Sequence, residues 1–464
     1  MINKKLTKKL LPLAVMTTVA VGSLGGTFST AEAKEVKSNK AEIKNVIVLI
    51  GDGMGVSYTT AYRYLQDSSD SKFANRTELD KYLVGQQMTY PEDPVQNITD
   101  SASAATAMSA GIKTYNNAIG VDNDGSEVKT VLESAKERGK ATGLVATSEI
   151  THATPASFGA HDESRKNMNA IANDYYDDLL NGEHKVDVLL GGGTDLFVRN
   201  DRNLVEEFQK DGFSYVTNKD ELLNDENEQV LGLFAKRGMP KMIDRTEDIP
   251  SLEEMTNSAI DRLNKDKDGF FLMVEGSQID WAGHDNDIVS AMSEMEDFEK
   301  AFKAAIDFAK KDKHTLVIAT ADHSTGGYSI GANGIYNWDG APIKAAKRTP
   351  DFMAEEIVNG ADIEETLKKY IELDLTNEEI KSVKDASTSK KGIDIDNAIE
   401  QIFDKRSSTG WTTGGHTGED VPVYAFGPSS QRFVGQIDNI DIAKNIFDIL
   451  EKGKMKNKTV INDK

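Results

Sequence analysis

Asp280 and His284 stand four residues apart in Gln278-Ile279-Asp280-Trp281-Ala282-Gly283-His284. If that segment is helical, both side chains project on one face, where a carboxylate and an imidazole can grip one metal ion. Glu275 closes the apolar run just before them and can reach a second ion. Asp322 and His323 are adjacent at the end of Thr315-Leu316-Val317-Ile318-Ala319-Thr320-Ala321, where a strand leaves its pleat and neighbouring residues can bind together. His416 lies in the glycine-rich loop Thr412-Thr413-Gly414-Gly415-His416-Thr417-Gly418, and Asp52 follows the apolar run Asn45–Ile50. Ser101 opens the small-residue run after Asp100, a hydroxyl at a helix start. There the outward N–H groups and the positive end of the helix dipole stabilise a phosphate or a serine alkoxide. Asp and Ser before a helix are also ordinary caps, so this stretch alone decides nothing. His152 and Thr154 stand two apart in a segment read as the extension of a strand, and so share a face. Arg165 carries the planar fork that matches a phosphoryl group's free oxygens, although most arginines are surface charges.

These side chains need elements to hold them. Asn45–Ile50, Phe270–Val274 and Thr315–Ala321 are continuous apolar, β-branched runs, the pattern of parallel strands buried on both faces. Each one discharges a candidate ligand at its carboxyl end, the edge where open α/β sheets bind ligands. Gly51-Asp52-Gly53-Met54-Gly55 is not a dinucleotide fingerprint, and Gly191-Gly192-Gly193 lacks the Lys-Ser or Lys-Thr of a phosphate loop, so those glycines are assigned to backbone packing. Amphipathic spacing predicts helices over 128–138, 288–310 and 442–450, and a further helix from Ser164 to Leu180. Length alone points to about three domains. A site drawing on Asp52 and on His416 cannot be divided among them. The expectation is therefore one α/β domain over 45–464, doubly wound, with a mostly parallel central sheet flanked by helices. Residues 324–415 change character and read as a helical insertion ahead of the last ligand, with helices near 351–358, 363–371 and 393–406.

Lys4, Lys5, Lys8 and Lys9, the apolar stretch Leu10–Val21 and Ala31-Glu32-Ala33 make residues 1–33 a secretory signal peptide, followed by a polar linker over 34–44. Its apolar core is shorter than the roughly 20 residues of a spanning helix, and no later run is long enough. The protein is thus expected to be exported, either secreted or associated with the cell envelope, without a transmembrane span. It has no cysteine, which excludes disulfides and lipid attachment at a lipoprotein cysteine. The net charge of −22 argues against nucleic-acid binding and repels anionic substrates at long range, so a phosphate site must carry its own cations.

Asp100-Ser101-Ala102, Val274-Glu275-Gly276, Ala321-Asp322-His323 and His416-Thr417-Gly418 occur in the order found in the alkaline phosphatase family, which the mature chain resembles along nearly its whole length. The resemblance implies that Ser101 is the nucleophile and that Arg165 holds the phosphate. It implies a first zinc ion (Zn2+) on Asp280, His284 and His416, and a second on Asp52, Asp322 and His323. A third ion, usually magnesium (Mg2+), would sit on Asp52, Thr154 and Glu275. The enteric form of the family has an aspartate and a lysine where this chain has His152 and Trp281. The departure implies that His152 either binds the third ion or biases the site toward cobalt (Co2+) or another softer metal. The expected activity is phosphomonoester hydrolysis through a phosphoserine at alkaline pH, and a homodimer is implied. Four carboxylates and a Ser101 alkoxide carry five negative charges, which two divalent ions and Arg165 only cancel. A third ion leaves the surplus a dianionic ester needs. Among rivals, a sulfatase would need Cys or Ser in a Cys/Ser-x-Pro-x-Arg setting, absent around Ser101. A phosphodiesterase of the same superfamily is the stronger alternative, ahead of a non-catalytic metal- or phosphate-binding surface protein, for which Ser101 would have no use.

Overall fold

Asn45–Gly51 forms the central strand β1, and every one of its residues is buried. Because successive side chains of a strand point to opposite faces, a run that is apolar throughout must feed two cores. Val46, Val48 and Ile50 enter one, while Ile47 and Leu49 enter the other. The computed structural model describes residues 43–67 and 73–452. The expected signal peptide, and all but the last two residues of the expected linker, lie outside the described residues.

The sheet around β1 contains β2 (Leu83–Met88), β3 (Ala141–Glu149), β4 (Val188–Gly192), β5 (Ser214–Val216), β6 (Val230–Leu233), β7 (Phe270–Gly276), β8 (Thr315–Thr320), β9 (Val421–Phe426) and β10 (Gly435–Asp438). Its spatial order is β10-β2-β9-β8-β1-β7-β3-β4-β6-β5. Only β9 runs against the others, pairing antiparallel with β8 and β2. β1 lies between β7 and β8, parallel to both, with Ile50 beside Glu275 on one side and Thr320 on the other. This is the doubly wound, mostly parallel α/β architecture expected.

Helices cover both faces. On one side lie α1 (Ser101–Ala110), which buries Ala102, Ala105 and Met108, and α2 (Ala153–Gly159), which buries Ala153, Ala156 and Phe158. α3 (Gln278–Asp285) follows β7, and α4 (Ile288–Asp312) packs Met295, Phe298, Phe302 and Ile306 on the other face. Between β8 and β9 the chain makes a long excursion with helices at Pro350–Val358, Ile363–Tyr370, Asn377–Ser387 and α5 (Gly392–Ser407). The excursion leaves and returns on paired segments, Ser324–Thr325 against His416–Thr417 and Ser329–Ile330 against Thr409–Gly410.

Some local expectations fail. The strand from Ala141 stops at Glu149, so His152 and Thr154 do not share the face of an extended segment. His152 is the N-cap of α2 and Thr154 lies inside that helix. The helix expected from Ser164 shortens to Met168–Asp177. Asp162 accepts from Ser164 N–H and from Asn167 Nδ2, each at 2.8 Å, side-chain bonds that hold the segment as a turn and leave Arg165 outside the helix. The helix expected over 128–138 covers Val131–Lys136, started by a capping box between Thr130 and Glu133. The helix Asn377–Ser387 was not expected, although Thr376 and Glu379 form a capping box there too.

Candidate active site

Asp100 organises the Ser101 end of the site. As N-cap of α1 its Oδ1 accepts the Ser103 N–H at 3.0 Å, which fixes the first turn and sets Ser101 at its opening. Its Oδ2 accepts from Asn117 N–H and from Arg165 Nη1, both at 3.1 Å. One carboxylate thus caps the serine's helix and aims the guanidinium. The sequence reading saw only the cap, because the Arg165 contact is made across 65 positions of chain. Ser101 is buried, and its Oγ lies 3.3 Å from His323 Nε2.

The strand ends deliver the donors. Asp52 follows β1, and Gly53 turns the chain with a φ of +72°, its N–H donating to Asp322 Oδ1 at 3.0 Å. A side chain at Gly53 would strain that left-handed backbone and stand 2.8 Å from Asp280 Cα. Glu275 is the penultimate residue of β7. α3 then places Asp280 and His284 one turn apart, with His284 Nε2 3.2 Å from Asp280 Oδ2, the contact expected from their spacing. His416 Nε2 lies 3.1 Å from His284 Nε2 and 3.6 Å from Asp280 Oδ1. His323 Nε2 lies 3.1 Å from Asp322 Oδ2 and 3.4 Å from Asp52 Oδ1. The two histidine groups adjoin, since the rings of His323 and His416 stack 3.6 Å apart.

Two imidazoles are oriented from behind. His284 Nδ1 faces the Gly414 carbonyl at 2.7 Å, and His416 Nδ1 faces the Thr99 carbonyl at 2.8 Å. A carbonyl only accepts, so both Nδ1 atoms carry a proton and both Nε2 atoms are turned toward Asp280, the orientation of metal-ligating histidines. Thr325 Oγ1 hydrogen-bonds Asp280, and Ser148 Oγ reaches Glu275 Oε2 at 3.4 Å. Neither hydroxyl stood out in the sequence.

Arg165 Nη2 lies 3.2 Å from His152 Nε2, and the His152 ring meets Trp281 edge-on at 5.7 Å. His152, Asp52 and Glu275 bring donor atoms within 4.8 Å of one another; so do Asp52, Asp322 and His323, and so do Asp280, His323 and His416. Every residue singled out for metal binding or catalysis is therefore gathered at one sheet edge.

The electrostatics favour bound cations. Asp52, Glu275 and Asp322 are completely buried, and Asp280 nearly so. Both oxygens of Asp52, Oδ2 of Asp322, Oε1 of Glu275, Nδ1 of His152 and Oγ1 of Thr154 are buried without a hydrogen-bond partner among the described residues. Burial, then the charges of Asp322, Asp280 and Glu275, pushes the Asp52 carboxyl well above the usual range, and burial pushes Glu275 to about 7. Burial also lowers His416 to about 4, with the neighbouring His323 adding to it. So many unpartnered oxygens facing one another are costly unless positive charge sits among them. Mixed carboxylate and imidazole donors suit zinc and related divalent ions, so these residues fit such ions.

The alkaline phosphatase family model matches residues 43–452. The chain belongs to the alkaline phosphatase family. Alkaline phosphatase 3 of Bacillus subtilis strain 168 is 72% identical over 453 residues, covering 97% of this chain and 98% of that protein. The cold-active alkaline phosphatase of a psychrophilic Shewanella species superposes with a TM-score of 0.83 at 41% identity, covering 88% of this chain and 99% of that one. A histidine-to-aspartate mutant of the alkaline phosphatase TAB5 with magnesium bound in its M3 site superposes with a TM-score of 0.65 at 31% identity, covering 89% and 99%. The chain is accordingly a hydrolase of the alkaline phosphatase class, and the large, mostly parallel sheet is the architecture its relatives share.

Proposed function

We propose that this chain is an exported, metal-dependent phosphomonoesterase that works at alkaline pH through a phosphoserine on Ser101. The observation that carries the reading is the ring of buried, unpartnered donor atoms on Asp52, Asp322, Glu275, His152 and Thr154 beside a serine at a helix N-terminus. Asp280, His284 and His416 would hold one zinc and Asp52, Asp322 and His323 another, while Asp52, Thr154 and Glu275 would hold a third ion, with His152 beside it biasing the site. When bound, such ions lower the pKa of a nearby hydroxyl and stabilise the charge on entering and leaving oxygens.

The chain's own residues do the rest. Ser101 Oγ, at the start of α1 and 3.3 Å from His323, would attack phosphorus in line, and the α1 N-terminus would add its dipole to the stabilisation of the anion. The Ser101 hydroxyl loses its proton to solvent, the new Oγ–P bond replaces the ester P–O bond, and the departing alkoxide takes a proton from solvent. Water then attacks the phosphoserine, releasing inorganic phosphate and restoring the serine hydroxyl. Arg165, held by Asp100 and His152, offers its remaining N–H groups to the phosphoryl oxygens that take no part in bond exchange. Mono-esters are favoured over diesters because a dianion matches a site built around this many cation ligands. Small phosphomonoesters are the substrate class; export rests on the leader-like sequence of residues 1–33, and pairing as a homodimer rests on the family resemblance.

The test is Ser101→Ala. The variant should keep its metal content, because no proposed ligand is touched, and lose about three orders of magnitude or more in turnover. Labelled phosphate trapped covalently on wild type should be absent from it. Covalent label on Ser101→Ala, or turnover of diesters exceeding that of monoesters in wild type, overturns the reading.

A further inference from the structure

A second group of acids lies away from the residues just described. Asp285 at the end of α3 and Asp396 and Glu400 on α5 bring carboxylate oxygens within 4.8 Å of one another. Asp396 and Glu400 are four residues apart on one helix face, and Asp404 follows four further on, a row of like charges that weakens an isolated helix. Asp396 is 1% exposed and Glu400 5%. Both Asp396 oxygens and Glu400 Oε1 are buried with no hydrogen-bond partner among the described residues.

The neighbours do not relieve them. Asp287 is occupied as the N-cap of α4, accepting from Val289 N–H at 2.8 Å and Ser290 N–H at 3.0 Å. Asp404 accepts from Trp411 Nε1 at 3.1 Å. Asp351 faces Asp396 with another carboxylate, acceptor against acceptor. Lys241 is the cation acting on Asp285 and Asp287, and its Nζ reaches the Gln278 carbonyl at 3.5 Å. Among the described residues, the main influences on Asp396 and Glu400 after burial are neighbouring carboxylates, which raise both, and no cation is among them. In the protein alone, burial and this mutual repulsion hold Asp396 up at about 9 and Glu400 at about 11, well above the neutral range.

We propose that Asp285, Asp396 and Glu400 form a structural binding site for a hard divalent cation, calcium, that ties α5 of the excursion to the end of α3. The donor set is all oxygen, without the imidazole that zinc prefers. Calcium accepts irregular shells of six to eight oxygens at about 2.3–2.6 Å, so donors grouped at these separations can share it, with Asp351 and water completing the shell. Because Asp285 directly follows His284, an ion here ties α5 to the helix that carries Asp280 and His284 without entering their donor set.

The experiment uses the enzyme saturated with zinc and magnesium, to which calcium is added without chelator. Equilibrium dialysis with radioactive calcium should find one calcium per chain in wild type beyond that bound by the double variant Asp396→Asn/Glu400→Gln. Calcium at a hundredfold excess over its Kd should raise the wild-type Tm by about 3 °C and leave the variant's unchanged. In calcium-free buffer the variant should melt no lower than wild type, since it loses repulsion and no hydrogen bond; Asp396→Asn alone serves if the pair expresses poorly. Equal calcium binding by wild type and variant, or no calcium-dependent Tm shift in wild type at millimolar calcium, overturns the proposal and makes the cluster a set of protonated carboxyls.

Discussion

His152→Asp tests the third ion and the phosphate clamp in one substitution. Arg165 Nη2 stands 3.2 Å from His152 Nε2, and a guanidinium can only donate, so the imidazole accepts there through a neutral lone pair. An aspartate changes two things at once. It offers Asp52 and Glu275 a third carboxylate in place of an imidazole whose Nδ1 carries a proton, completing an oxygen set that suits magnesium. It also replaces a neutral acceptor of Arg165 by a charged one. Charge-assisted bonds contribute about 1.5–3 kcal/mol, which is roughly 10- to 150-fold in a binding constant. Magnesium activation should therefore need about that much less metal, and magnesium should overtake cobalt. Arg165 would meanwhile face two carboxylates, the new one and Asp100, and would have to leave one of them to bind phosphate, so inhibition by inorganic phosphate should weaken by a similar factor. Trp281→Lys is the internal contrast, because a cation placed where the indole now meets the His152 ring edge-on should tighten phosphate inhibition. The assay is metal titration of activity beside the phosphate inhibition constant. If both constants of His152→Asp stay within threefold of wild type, His152 neither neighbours the third ion nor shares Arg165 with the phosphate.

Chelation should lower the Tm by well over 5 °C, because Asp52, Glu275, Asp280 and Asp322 are left facing one another in the interior; Asp52→Asn should narrow that gap by stabilising the metal-free protein, read by calorimetry with and without chelator. Remote from the site, burial opposes ionisation of Glu133, but the hydrogen bond and charge of His161 and the charge of Lys185 prevail and bring its carboxyl down to about 2. Its ionised form thus contributes about 3 kcal/mol that is complete above pH 4.5 and lost as pH falls toward 2. His161 is raised in return, burial again opposing and Glu133 prevailing, so its contribution is complete below pH 6.5 and lost as pH rises through its folded value. Glu133→Gln should therefore depress the Tm most between pH 4.5 and 6.5; a Tm difference independent of pH from 3 to 9 would refute this.

The strands that carry ligands were legible because burial on both faces leaves an unmistakable apolar run, as in Asn45–Ile50, and because the carboxyl end of such a run is a defined place. Asp280 and His284 were legible for the same local reason, their spacing being the pitch of one helical turn. What could not be read was set by distant partners. Arg165 resembles any surface arginine until Asp100 is brought beside it. The Ile150–Pro155 segment kept its strand reading because nothing local says that the ladder ends at Glu149, although His152 and the proline at the third position of α2 fit a helix start. Asn377–Ser387 escaped notice despite its capping box, because a short and highly charged helix carries a weak apolar period. Asp285, Asp396 and Glu400 were invisible for a stronger reason, since they meet only after the excursion has folded back on α3.

The register of the sheet explains why one edge can serve several ions. β7, β1 and β8 are consecutive and parallel, with Ile50 level with both Glu275 and Thr320, so Asp52 and Asp322, each two residues further on, emerge level with each other, and the longer side chain of Glu275 reaches them from two positions back. Neighbouring strands lie about 4.8 Å apart, and ions that act together on one phosphoryl group need separations of about 3.5–4 Å. Adjacent strand ends thus deliver carboxylates at nearly the pitch such ions require, and Asp52 in the middle can serve the ion on either side. Asp100 alters the charge count drawn from the sequence. Its carboxylate neutralises the Arg165 it positions, so two divalent ions would leave a net negative site and only a third makes it positive. In the proposed site Arg165 would then select by geometry, while the attraction that holds a dianionic ester would come from the third ion beside His152. Changes at His152 should consequently reach phosphate affinity even though Arg165 and the proposed ligands Asp280, His284 and His416 are untouched.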